Sequence, residues 1–177
     1  RRIDALANRA FTGPMLRGEY PSDLLEDTAS VTDWSFIRDG DLADIHQPID
    51  VLGVNYYSTA TVRMWDGVSP KQQNDGHKGA EGGTAWPGSD QVVEFVEQPG
   101  PYTAMGWNIA PEGLEELLVS LHDQFPGQAL MVTENGAAFD DTVAADGSVP
   151  DPERLDYLRR HFTAAHRAMA RGVDLRG

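Results

Sequence analysis

The densest chemical signal in the chain is the run Leu130-Met131-Val132-Thr133-Glu134-Asn135-Gly136-Ala137. A short apolar stretch stops at a carboxylate, and a turn pair follows. An unpartnered charge in the middle of a buried strand is costly. At the C-terminal end of a strand, where open α/β sheets and barrels hold their ligands, a carboxylate is available for chemistry. Asn135-Gly136 then turns the chain sharply. Glu134 is therefore placed for chemistry. The structural alternative is a carboxylate that caps the turn.

Two more polar groups collect at the end of another strand. Asp50 to Ser58 reads as extended, so Val51, Gly53, Asn55 and Tyr57 share one face and Leu52, Val54 and Tyr56 the other. The second set suits packing beneath helices. The first brings Asn55 and Tyr57 together at the strand's end. Either could be purely structural, Tyr57 as a core aromatic with its hydroxyl at the rim and Asn55 as a cap. Trp107, beside Gly106, offers either ordinary packing or an exposed ring for stacking. His46, His122, His161 and His166 have no ligand spacing, and Asp140, Asp141 and Asp146 lack the calcium-loop pattern, so no metal site is expected. Asn135 reads as a turn former.

The elements that must position these groups follow from periodicity and punctuation. Arg1 to Phe11 reads as the end of a helix with Ile3, Leu6, Ala7, Ala10 and Phe11 on one side, broken up by Pro14, Gly18 and Pro21. Short helices fit Ser22 to Ala29 and Asp41 to His46. Pro111 to Phe125 is a helix with Leu114, Leu117, Leu118, Leu121 and Phe125 as its apolar stripe, and Pro111 and Glu112 suit its first turn. Ala129 to Thr133 is a strand. Asp151 to Arg171 is a helix with Asp151 as N-cap, Gly172 past its end, and Leu155, Leu158, Phe162, Ala165 and Met169 as its expected buried stripe. Residues 66–105 form a long loop rich in Gly and Pro, in which Gln91 to Val96 could pair as strand and Trp86 could line a site mouth. Strand, helix, strand, helix implies parallel βαβ connections, with the next strand expected after Gly177.

The 177 residues carry a net charge of −14 and a sequence pI near 4.5. Nucleic-acid binding needs a basic footprint and is not expected. No apolar run approaches the roughly 18 residues of a membrane helix, so no membrane partner is expected either. There is no cysteine, which excludes disulfides and thiolate metal sites. The absence of cysteine and of a visible export signal leans the expected location toward the cytoplasm.

Several segments resemble one family in the right order. Val132-Thr133-Glu134-Asn135-Gly136 is similar to the nucleophile motif of the family 1 glycoside hydrolases, the β-glucosidase family. Val51-Leu52-Gly53-Val54-Asn55-Tyr56-Tyr57-Ser58 resembles that family's sixth barrel strand. Met105-Gly106-Trp107 through Pro111-Glu112-Gly113-Leu114 resembles another of its segments, and residues 1–21 and 151–177 also read like family sequence. The resemblance implies an α/β fold: a partial (β/α)8 TIM barrel, about strands six and seven with flanking helices, truncated at both ends, forming one domain over 1–177. A whole barrel needs about 250 residues.

For activity, the resemblance implies a retaining β-glycosidase, with a β-glucoside or short oligosaccharide as substrate and no cofactor. Glu134 matches the catalytic nucleophile, Tyr57 the residue that orients it, Asn55 a residue of the sugar site, and Trp107 the platform under the leaving-group sugar. The family's acid/base sits in a T-x-N-E-P motif that does not occur here. The isolated 177 residues are therefore expected to be inactive and to fold poorly alone. β-Galactosidase, β-fucosidase and 6-phospho-β-glycosidase remain open, as does a non-catalytic carbohydrate-binding remnant. A homo-oligomer of the intact protein is compatible with the resemblance.

Overall fold

The computed structural model describes residues 1–69 and 93–177. Contacts group these into two compact units, Arg1–Ile49 with Val62–Phe95, and Asp50–Thr61 with Val96–Gly177. Trp86, Gln91 and most of the expected 66–105 loop lie outside the described residues.

The first unit opens with α1 (Arg2–Asp4), a π-helical turn (Ala5–Arg9) and α2 (Ala10–Arg17). The sequence reading stopped this helix near Phe11. The structure carries it through Pro14 to Gly18, whose φ of 70° makes the left-handed stop. Pro14 lacks a helical N–H, but its ring and Gly13 are buried, and packing outweighs the lost bond. The intervening π-turn shifts the apolar register, so Ala5 is buried while Phe11 is 66% exposed. Helices α3 (Ser22–Thr28) and α4 (Asp41–Ile45) form where expected. The Arg9 guanidinium forks onto both oxygens of Asp23 at 2.8 and 2.7 Å and also reaches Asp4. This geometry holds the Asp23 carboxyl below its ordinary range. Strands β2 (Thr61–Met64) and β3 (Val93–Val96) pair with each other. Only Val93 to Val96 of the expected Gln91–Val96 strand is described.

The second unit holds the predicted parallel sheet. Strand β1 (Leu52–Asn55) pairs in parallel with β4 (Leu130–Glu134). Helix α5 (Pro111–Gln124) precedes β4, and α6 (Pro152–Ala170) follows it. The helix-facing side of β1 works as expected: Val54 and Tyr56 join Leu114, Leu118, Val119, Leu130, Ala168 and Val173 in one core, with Leu52, Leu117 and Leu121 against it. Gly113 lets α5 approach, because a Cβ there would collide with the Tyr56 hydroxyl and the Thr59 methyl. Pairing on the other side of β4 begins before Gly177 rather than after it. Leu130 N–H donates to Asp174 O, Arg176 N–H to Leu130 O, and Val132 N–H to Gly177 O, all at 2.8 to 2.9 Å.

Helix α6 corrects the expected stripe. Leu155 and Phe162 are 67% and 68% exposed, and Met169 is exposed as well. The buried face is Tyr157, His161, Ala164 and Ala168, at the spacing i, i+4, i+7, i+11. The two alanines permit close approach to the core. Tyr157 goes inside with its hydroxyl met by Asn135, and His161 with Nδ1 2.8 Å from Tyr157 O of its own helix, while the buried His161 Nε2 has no hydrogen-bond partner among the described residues. No helix among the described residues is long and apolar enough to cross a membrane.

Candidate active site

The site lies at the C-terminal ends of β1 and β4, within the second unit. Glu134 is the last residue of β4 and is exposed there. The β1–β4 register runs Leu52↔Leu130, Gly53↔Met131, Val54↔Val132 and then slips, so that Asn55 faces Glu134. The slip skips Thr133, whose side chain fills the space above Gly53; a Cβ on Gly53 would stand 3.1 Å from Thr133 Oγ1. From there Thr133 Oγ1 donates to Asn55 Oδ1 at 2.7 Å, which fixes the orientation of the Asn55 amide. The irregularity thus brings Asn55 and Glu134 level at the strand ends.

Beyond β1, Tyr56 and Tyr57 point opposite ways. Tyr56 is buried, and its hydroxyl donates to Ala110 O at the start of α5. Burial pushes the Tyr56 phenol well above its ordinary pKa, so it remains a donor. Tyr57 points toward the site and donates to Glu134 Oε2 at 2.7 Å. That hydrogen bond, followed by burial and the neighbouring negative charge, raises the Tyr57 phenol as well. A protonated tyrosine is thus held against one oxygen of the carboxylate.

Trp107 completes the group. A tight return from Tyr102 to Asn108 presents it: Thr103 N–H donates to Trp107 O at 2.8 Å, Gly106 N–H to Thr103 O at 2.9 Å, and Gly106 takes a φ of 78°. Ala104 N–H ties this turn to Ala138 O, in the segment after Glu134. The indole meets the Tyr57 ring edge-on at 5.4 Å between centroids. All four residues singled out in the sequence, Glu134, Tyr57, Asn55 and Trp107, therefore sit in one neighbourhood.

Sequence reasoning missed the residues behind them. Thr133 sits inside the motif, but its role depends on the register slip. Asn135 was read as a turn former, whereas its side chain bridges Tyr56 O at 2.8 Å and the Tyr157 hydroxyl at 3.0 Å. Tyr157 and His161 stack at 3.9 Å. Their helical spacing of four is a signal in the sequence, but the stripe beside it is the more apolar one. Burial lowers the His161 pKa, favouring the neutral ring. Among the described residues no cluster of three metal-ligating side chains occurs.

The family model of glycosyl hydrolase family 1 matches residues 1–177. A bifunctional beta-D-glucosidase/beta-D-fucosidase of Bifidobacterium breve is 49% identical, over 99% of this chain and 37% of its own length. The thermostable beta-glucosidase B of Thermobispora bispora is 42% identical, over 100% of this chain and 33% of its own. The crystal structure of a psychrophilic beta-glucosidase from Micrococcus antarcticus superposes with a TM-score of 0.85 at 41% identity, covering 100% of this chain and 38% of that one. The chain thus spans about a third of the length of these relatives, and the fold it adopts corresponds to part of a TIM-barrel glycosidase. On the match across all 177 residues, the chain belongs to glycosyl hydrolase family 1.

Proposed function

We propose that this segment supplies the nucleophile half of a retaining β-glycosidase, with β-glucosides as the leading substrate class. The observation that carries the reading is the Tyr57–Glu134 pair at the ends of two parallel strands. Glu134 attacks the anomeric carbon and the leaving oxygen departs with a proton from a second carboxyl group. Water then attacks the glycosyl-enzyme, giving its proton to that second group, and the sugar leaves with retained configuration. The second carboxyl must stand about 5 to 5.5 Å from the first. The T-x-N-E-P sequence that carries it in the family is not within these 177 residues, so the reading assigns the acid/base to the whole enzyme and expects the segment alone to be inactive.

In this reading β1 and β4 correspond to barrel strands six and seven. The Asn55 amide, held by Thr133, faces a sugar hydroxyl. Trp107 lies under the leaving-group sugar, since an indole face covers the apolar face of a pyranose. Fuco-configured substrates are a second reading, favoured by the double activity in the name of the Bifidobacterium breve relative.

The test uses the full-length enzyme that carries this segment. It is incubated with a 2-deoxy-2-fluoro-β-glucoside bearing a good leaving group, and the labelled peptide is mapped by mass spectrometry. A sugar on Glu134 supports nucleophile and mechanism together. Label on another residue, or none with gluco, galacto and fuco analogues alike, rejects the reading.

A further inference from the structure

Behind the Tyr57–Glu134 pair lies a set of hydrogen bonds that the retaining mechanism does not itself call for. Tyr56 N–H donates to Glu134 O at 2.9 Å, joining the two strand ends. The next residue on each strand continues the join through side chains. Asn135 Nδ2 spends one hydrogen on Tyr56 O at 2.8 Å and the other on the Tyr157 hydroxyl at 3.0 Å. The Tyr157 hydroxyl in turn points at Tyr57 O, 3.5 Å away. One amide hydrogen of Asn135 and the phenol hydrogen of Tyr157 are therefore directed at the carbonyls of the two-residue stretch that carries Tyr57, and the second amide hydrogen joins the two side chains. Tyr157 itself is 1% exposed and cannot drift, because His161 stacks on its ring at 3.9 Å and 26°.

We infer that Asn135 and Tyr157 are positioning residues, which clamp the Tyr56–Tyr57 backbone to helix α6 so that the Tyr57 hydroxyl stays on Glu134 Oε2. The inference rests on the proposed glycosidase reading and extends it to two residues that touch no reacting atom. A tyrosine reaches its partner through a long lever, so a small shift at the Tyr57 backbone becomes a larger one at the hydroxyl. Turnover is sensitive to displacements of that size. Position-holding of this kind acts on the chemical step more than on substrate affinity.

The experiment uses the full-length enzyme, with Tyr157→Phe, which removes one oxygen and keeps the ring stack, and Asn135→Ala. Each is made in the natural background and in Tyr57→Phe. Rates of 2-fluoroglycoside trapping and of turnover are normalised to the concentration of competent sites. The expected result is a loss of about tenfold or more in kcat, with a smaller change in KM, for each variant in the natural background. In the Tyr57→Phe background the same changes should cost little, because the lever they hold is gone. Equal losses in both backgrounds, or no loss in the natural one, would overturn the inference. If Asn135→Ala does not fold, Tyr157→Phe decides alone. A natural enzyme that neither turns over β-glycosides nor labels Glu134 defeats the underlying functional reading instead, and the inference with it.

Discussion

Tyr57 and Glu134 lie 77 positions apart in the chain, yet the phenol donates to the carboxylate at 2.7 Å. Parallel pairing of β1 with β4 makes this meeting unavoidable, since Asn55 and Glu134 are level and Tyr57 is two residues past Asn55. A phenol held against one carboxylate oxygen fixes the orientation of the group that attacks carbon in the proposed reading. Removing the donor from a charged pair costs about 1.5 to 3 kcal/mol. Tyr57→Phe in the full-length enzyme should therefore lower kcat/KM about ten- to hundredfold. Steady-state kinetics on an aryl β-glucoside checks this, and unchanged kinetics would remove Tyr57 from the machinery.

Glu134 itself has a sharper test. Replacing it with Gly leaves a hole beneath the anomeric carbon and should abolish turnover by several orders of magnitude. A small anion such as azide can then attack in place of the carboxylate, displacing the leaving group from an activated β-glycoside. With no second displacement the product should be the α-glycosyl azide. Its anomeric configuration is read by NMR. A β-configured azide would mean that Glu134 does not occupy the nucleophile position.

The motifs in the sequence made the strand ends, helix α5 and the four candidate residues that the fold brings together legible, through local pattern: alternation in Asp50 to Ser58, the leucine spacing in Pro111 to Phe125, and a carboxylate after an apolar run. What failed depended on two-sided packing. Helix α6 carries two apolar faces, and hydropathy alone favours Leu155, Leu158 and Phe162 over the face holding Tyr157 and His161, which is the buried one. Nothing local in the sequence says that Asn135 will accept Tyr157 as a partner from 22 residues away. The register slip that levels Asn55 with Glu134 is likewise a property of two strands together. Pro14 misled for a related reason, as its cost is local and its compensation is burial.

Gly113 gives a stability prediction. It sits in the first turn of α5, where alanine would ordinarily improve helix propensity by about 1 kcal/mol. Here a methyl group would strike the Tyr56 hydroxyl, which is fixed by its bond to Ala110 O, and the Thr59 methyl. Overpacking of this kind costs about 1 to 3 kcal/mol. Gly113→Ala should therefore lower the Tm of the full-length protein despite the better helix former. A raised Tm would show that the Tyr56 side chain can move aside without penalty.

His161 ties acid stability to the same core. Its ring is 1% exposed, stacked on Tyr157 and 6.0 Å from the Tyr56 ring, with Arg160 opposing its protonation and Glu112 favouring it. Burial outweighs the favourable contributions and holds its pKa below the ordinary 6.5. The unfolded chain therefore binds this proton before the folded one does. Stability contributed through His161 is intact above pH 6.5 and is lost as pH falls from there toward the depressed folded value. His161→Phe keeps an aromatic ring against Tyr157 and removes the titration. Urea unfolding at pH 7.5 and pH 5 should show a smaller acid loss for His161→Phe than for the natural protein. Parallel losses in the two would mean that another group dominates the acid sensitivity of this core.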